Sequence, residues 1–169
     1  MNKQELILEN IIQEFSKTLP KFPDGRIDYS NSDKAAVLTC FIKYKNKILL
    51  LKRSDKVRTY KGLWNTVAGY LDEPCTVKEK ALKEVSEELG IKANIINIIT
   101  LGNPFESFDI AINKTWIVFP LLFELNKEPE IVLDWEHTEY KWIEPSQLKE
   151  YDVVPDLEKS YFTFLLNPV

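Results

Sequence analysis

Apolar residues change their spacing several times along the chain, and each change marks a predicted element. Between Lys3 and Leu19, Leu6, Ile7, Ile11, Ile12 and Phe15 recur among Glu, Lys and Gln at helical intervals. That predicts an amphipathic helix whose apolar stripe suits either core packing or a dimer contact. Pro20 to Asp33 holds Pro20, Pro23, Asp24-Gly25 and a Ser/Asn cluster, the chemistry of a surface connection. Ala35–Lys43 and Lys47–Lys52 are continuous apolar runs around Lys45-Asn46, which predicts a hairpin in a sheet covered on both faces. Trp64–Leu71 reads as a further strand.

Helical spacing then returns in Val77, Ala81, Leu82, Val85 and Leu89. Thr76 with Glu79 forms a capping-box pattern, and Gly90 offers a C-cap residue free to take positive φ. Asn94–Leu101 and Trp116–Leu125 read as strands, with Pro120 demoting part of the second to an edge or bulge. Gly102–Lys114 reads as a long connection, a common lining for binding sites. Lys127–Asp134 is an acidic, turn-rich link, and Glu136–Ile143 leads into another strand. Pro145–Tyr151 predicts a short helix and Pro155–Leu166 a closing amphipathic one. This order predicts an α/β fold with a mixed β-sheet between helical layers.

The composition narrows the function class. At 169 residues one domain is expected, a core at 34–148 flanked by an N-terminal helix and loop (1–33) and a C-terminal helix (149–169). A net charge of −4 gives no basic excess for a nucleic-acid backbone, so no duplex partner is expected. Two cysteines, Cys40 and Cys75, make no disulfide framework, and one histidine supplies a zinc site poorly. Without a signal peptide or an apolar run of about 20 residues, the expected setting is the cytoplasm, with no membrane partner.

The candidate chemistry lies on the helix after Thr76. Glu84, Glu87 and Glu88 stand at i, i+3 and i+4, so their carboxylates converge on one patch. Like charges at that spacing cost only about 0.2–0.5 kcal/mol per pair. A solvated face, partly neutralised by Lys80 and Lys83, therefore competes with a metal site. Hard divalent ions such as Mg²⁺ favour a few carboxylates with substrate phosphates and waters, which fits the cluster. Upstream, Lys52, Arg53, Arg58 and Lys61 interleave with Tyr60 and Trp64. They form either a solvated loop or a grip, with Arg53 or Arg58 on a diphosphate and an aromatic against a base. Phe105 and Phe108 either touch substrate or tuck into the core.

The stretch Gly69–Ile91 as a whole resembles the Nudix box, G-x5-E-x7-R-E-U-x-E-E-x-G-U, where U is a bulky aliphatic residue. Gly69, Glu84, Val85, Glu87, Glu88, Gly90 and Ile91 match, seven of nine defined positions. Cys75 stands where the motif has Glu, and Lys83 where it has Arg. Looser resemblance runs from about Lys34 to Leu148. It implies an α/β/α sandwich and a hydrolase that uses Mg²⁺, with Mn²⁺ as an alternative, to cleave a pyrophosphate bond in a nucleoside diphosphate linked to another moiety. The metal would be held by Glu84, Glu87, Glu88 and the Gly69 carbonyl, and the catalytic residues would be Glu87, Glu84 and Glu136, with Glu139 a second choice for the last.

The motif's Arg helps hold the carboxylates, and Lys83 keeps its charge without its planar fork. Asp72 and Glu73 are either loop acids or substitutes for the carboxylate missing at Cys75. Those departures keep open an alternative, a nucleotide-binding module that cleaves weakly or not at all. The run Gly62–Tyr70 is also similar to that of isopentenyl-diphosphate isomerases, but Ala68 and Tyr70 replace the groups their chemistry needs.

Overall fold

The computed structural model describes residues 2–166. Its elements are α1 (Lys3–Thr18), β1 (Lys34–Tyr44), β2 (Lys47–Arg53), β3 (Trp64–Asn65), β4 (Val67–Tyr70), α2 (Val77–Leu89), β5 (Ile96–Leu101), β6 (Phe105–Asp109), β7 (Lys114–Leu125), β8 (His137–Ile143) and α3 (Leu157–Phe162). A 3₁₀ turn over Pro145–Glu150 replaces the short helix predicted there, and α3 is shorter than the predicted closing helix.

All eight strands join one mixed sheet, with β3-β2-β1-β7-β5 as its main path. The parallel pairing is β1 with β7, in register from Lys34 opposite Thr115 to Lys43 opposite Glu124. The β1–β2 hairpin turns through Lys45 at φ 54° and pairs only at its neck. Beyond it the two strands part, and the Trp64–Tyr70 segment serves both. Trp64 and Asn65 pair with β2, while Val67–Tyr70 pairs with β1. Thr66 marks the crossing, its hydroxyl donating to the Cys40 carbonyl at 2.7 Å. The single predicted strand is thus two, because it changes partner midway.

Alternation along the strands divides the interior in two. Leu38, Cys40 and Ile42 of β1 and Leu49 and Leu51 of β2 join the cluster under α1 and α2. Phe41, Ile48 and Leu50 point the other way, to Leu148, Leu157 and Tyr161 of the C-terminal segment. Both faces are covered, as the unbroken apolar runs required. The stripe of α1 is used within the chain: Leu8 and Ile12 are buried in the larger cluster, and Ile7, Ile11 and Phe15 pack beside them.

Two expectations are corrected. Gly102–Lys114 is not an unstructured connection: β6 pairs antiparallel with β7 from Phe105 opposite Val118 to Asp109 opposite Lys114. Pro120 does not lie on an edge either, since β7 has neighbours on both sides. Its carbonyl accepts from Gly102 N–H at 2.9 Å, where β7's antiparallel partner changes from β6 to β5. A residue's N–H and C=O face the same side of a strand, so the proton that proline lacks would point into that break.

Candidate active site

Local sequence sets the two ends of α2, while its apolar face is buried in the core. Thr76 accepts from the Glu79 backbone N–H at 3.1 Å while the Glu79 carboxylate accepts from Thr76 N–H at 2.9 Å. The helix ends at Gly90, whose φ is 68°. Its inward face is not purely apolar. Lys80 and Glu88 are buried with Val77, Ala81, Val85 and Leu89.

The three glutamates have different environments. Glu87 is exposed and Glu84 half-buried. Glu88 is 2% exposed, and neither of its carboxylate oxygens has a hydrogen-bond partner. Such a group is costly in a low-dielectric interior unless something compensates its charge. Burial, then the charges of Glu136, Glu84 and Asp134, push its pKa well above the ordinary carboxylate value, with the Ala68 backbone N–H weakly opposing them. Burial likewise raises Glu84 to about 7, with Glu87 and Glu136 adding to the rise and Lys80 opposing it.

Strand β4 makes room for Glu84. A Cβ built on Gly69 would stand 2.7 Å from the Glu84 carboxyl carbon and from Oε1. The glycine is therefore a cradle for that carboxylate, and no larger residue fits without moving it.

Glu136 arrives on the segment that leads into β8. The segment before it is laid along the end of α2, with Val132 N–H donating to the Leu89 carbonyl at 3.0 Å and Asp134 N–H to that of Glu88 at 3.2 Å. Its own backbone is tied to β2 through Ser54 N–H, at 2.7 Å. Burial and the Asp134 charge raise the Glu136 pKa, with Arg53 opposing. His137 is buried beside it, Nε2 lying 3.8 Å from Glu88 Oε2 and Nδ1 3.3 Å from Asp134 Oδ1. Burial lowers its pKa. The exposed Glu139 pairs at 3.9 Å with Lys52.

Among the described residues no three His, Cys, Asp or Glu side chains already enclose a common point. Glu84, Glu87 and Glu136 are gathered along one wall instead, with the Glu88 carboxylate buried next to them. The orphaned Glu88 oxygens, the raised Glu84 and the Gly69 cradle are nonetheless the chemistry that a divalent cation satisfies, so the donor set fits one.

That wall borders a cleft of about 390 Å³ lined by Arg53, Tyr60, Asn65, Gly69, Tyr70, Trp116, Glu84, Glu87 and Glu136 among others. Trp116 lies 6.2 Å from Tyr70 and 6.4 Å from Tyr60, ring centre to ring centre. Trp116 Nε1 donates to the Tyr60 hydroxyl at 2.9 Å, which donates to Asp109 Oδ2 at 2.7 Å. Arg53 is steadied by its Nε donating to the Thr59 carbonyl at 2.9 Å.

Other predicted contacts fall elsewhere. Trp64 is buried on the opposite face, in the cluster with Phe41 and Ile143. Arg58 reaches the Ser30 carbonyl at 3.4 Å and does not line the cleft. Phe105 lies under Lys159, whose Nζ is 4.4 Å from the ring centre, beside a separate depression near α3. Phe108, on the other face of β6, is 61% exposed. Sequence reasoning missed Trp116, Tyr70 and Asn65, because strand register decides which face an aromatic occupies. The residue at the motif's Arg position, Lys83, is exposed and reaches Glu73 at 3.5 Å. The buried cation is Lys80, whose Nζ is 2.9 Å from Glu73, 3.1 Å from Asp72 and 3.5 Å from Glu84. Burial disfavours its charge, but those three acids more than compensate and hold its pKa above the usual lysine value.

Comparison with known proteins bears on the family and the fold. The chain is 28% identical over 171 residues to Nudix hydrolase 6 of Arabidopsis thaliana, covering 98% of this chain and 54% of the relative, so it spans about half that protein's length. The NUDIX domain of Shewanella oneidensis NrtR, solved with ADP ribose, superposes with a TM-score of 0.64 at 13% identity, over 90% of this chain and 97% of that one. A bifunctional NMN adenylyltransferase/ADP ribose pyrophosphatase from Francisella tularensis, complexed with AMP and Mn ion, gives 0.62 at 20% identity over 95% and 47% of the two chains. At these identities the structural likeness speaks for the fold. The family model for the NUDIX domain matches residues 33–164, most of the chain and further toward the C-terminus than the motif resemblance reached, and the protein belongs to that family.

Proposed function

We propose that this protein is a divalent-cation-dependent hydrolase that cleaves a phosphoanhydride bond in a nucleoside diphosphate joined to another moiety. The observation that carries the reading is the buried, unpartnered Glu88 carboxylate next to Glu84, which with Glu87 lines a cleft that also holds Arg53 and three aromatic rings. Glu84, Glu87 and Glu88, with the Gly69 backbone, would hold Mg²⁺ or Mn²⁺. When bound, such a cation neutralises a diphosphate and lowers the pKa of a water. Arg53 binds a phosphate through its guanidinium, and Trp116 and Tyr70 offer a face for a base to stack on. Glu136, which lines the cleft and whose pKa burial raises above the ordinary carboxylate value, would accept the proton of the attacking water, with Glu87 the exposed alternative.

The relatives' ADP ribose and AMP make adenosine diphosphate derivatives the first substrates to try. A cytoplasmic setting fits the two unpaired thiols, Cys40 and Cys75. The departures at Cys75 and Lys83 favour one other reading, nucleotide binding without cleavage.

A panel of ADP-ribose, modified nucleoside triphosphates and dinucleoside polyphosphates, assayed with Mg²⁺, separates the two. Hydrolysis by the wild type that falls at least about 100-fold in Glu87→Gln supports the enzyme. Tight nucleotide binding by a wild type that turns over no faster than Glu87→Gln supports the binding module.

A further inference from the structure

We infer that Lys80 is a positioning residue that holds Glu84 in the orientation a cation needs. The inference rests on the metal-binding reading of the glutamate wall. Lys80 is 4% exposed, an uncommon place for a lysine. Its ammonium joins Glu73 Oε1 and Asp72 Oδ1, at 2.9 and 3.1 Å, to Glu84 Oε1 at 3.5 Å.

The anchor end is fixed. Asp72 is itself buried, its backbone carbonyl accepts from Ile27 N–H at 2.8 Å, and Arg26 Nη1 stands 3.5 Å from its Oδ2. The Glu84 end is confined between that ammonium and the Gly69 backbone, since Oε1 is also the atom a Cβ at residue 69 would strike. Lysine and arginine are the side chains that can hold a carboxylate this way. Lys83 is exposed and does not approach Glu84 within ion-pair distance. A Lys–Glu pair in this order on a surface helix contributes little. Here burial and two further carboxylates give it a fixed geometry, and the segment between Pro20 and Asp33 becomes part of the site's support.

Electrostatics alone would make Lys80 a hindrance, because a cation 3.5 Å from a ligand repels another. Removing it therefore separates the two effects. Mn²⁺ binding to the whole protein, followed by the electron paramagnetic resonance of the free ion, should weaken about 10–100-fold in Lys80→Met, despite the added net negative charge. Lys83→Met should bind as the wild type does. The charge-balanced pair Asp72→Asn/Lys80→Met removes one charge of each sign, so it should recover thermal stability while Mn²⁺ affinity stays low. A purely structural lysine would let affinity recover with stability.

Unchanged or tighter Mn²⁺ binding in Lys80→Met, or recovery of affinity in the pair, overturns the assignment. If Lys80→Met does not fold, the pair decides the matter by the same criterion. A wild type that binds no Mn²⁺ removes the underlying reading as well, whereas wild-type binding that Lys80→Met leaves intact removes only the role of this lysine.

Discussion

Glu88 and Gly69 carry the proposed cation site at the scale of single residues. A carboxylate with two buried, unpartnered oxygens is a liability in the absence of a cation. At pH 8 in chelator, Glu88→Gln is expected to raise the melting temperature by about 2–4 °C, the equivalent of roughly 1 kcal/mol in a chain of this size. The same substitution should abolish the stabilisation that Mg²⁺ gives the wild type, and thermal melts with and without the ion test both halves. Gly69→Ala works from the opposite direction. Its methyl group must displace the Glu84 carboxyl, the far end of a flexible side chain, so stability should change little while turnover falls. Crystallography of the variant would show whether Glu84 moved. These two residues were legible in the sequence because the box names them. Lys80 was legible only as a neutralising charge, since its burial depends on the loop that Asp72 and Glu73 bring to it.

At the level of elements, helices were easier to read than strands. The ends of α2 follow from Thr76, Glu79 and Gly90, all local signals, and the structure places its caps on those residues. Strand faces depend on partners distant in sequence, so aromatic residues were misassigned. Trp64 and Trp116 sit in strands of the same sheet, one buried away from the cleft and the other lining it. Trp116→Ala should raise KM for the preferred nucleotide by about 10-fold or more, a stacked base being worth roughly 1–3 kcal/mol, and should cost less stability than Trp64→Ala because Trp116 is only partly buried. Trp64→Ala should leave KM alone and cost about 3–5 kcal/mol of stability. Steady-state kinetics and urea melts on both variants check the division. Pro120 and β6 teach the same lesson. A proline in an apolar run looks like an edge, yet it is tolerated in the interior of this sheet where a neighbouring strand happens to change.

For the whole molecule, the gathering of carboxylates couples stability to pH. Glu84 has a folded-state pKa of about 7, against about 4.3 in an unfolded chain. A raised acid pKa means the native state binds the extra proton, so its contribution is full below about 4.3 and is lost as pH rises through 7. Glu136 and Glu88 shift in the same direction. His137, with a lowered pKa, acts oppositely, but its contribution is complete once pH exceeds its unfolded value of about 6.5. In chelator the melting temperature of the wild type, measured against that of Glu84→Gln, should therefore fall between about pH 4.5 and pH 7.5, and saturating Mg²⁺ should flatten that slope. A metal-free protein whose stability against that variant is level or rising across the window would contradict this.

No helix among the described residues is long and apolar enough to cross a membrane. The fold class was legible at this scale because periodicity and element order are properties of the whole chain. The cleft was not, since it is built where β1, β4, β6, β7 and the segment before β8 converge.

The most direct measurement is anomalous X-ray scattering from crystals grown with Mn²⁺ and a non-hydrolysable nucleoside diphosphate analogue. The expected result is manganese bound to Glu84, Glu87 and Glu88, with a diphosphate oxygen completing its shell and the base against Trp116. Nucleotide held in the cleft with no manganese at those carboxylates would contradict it.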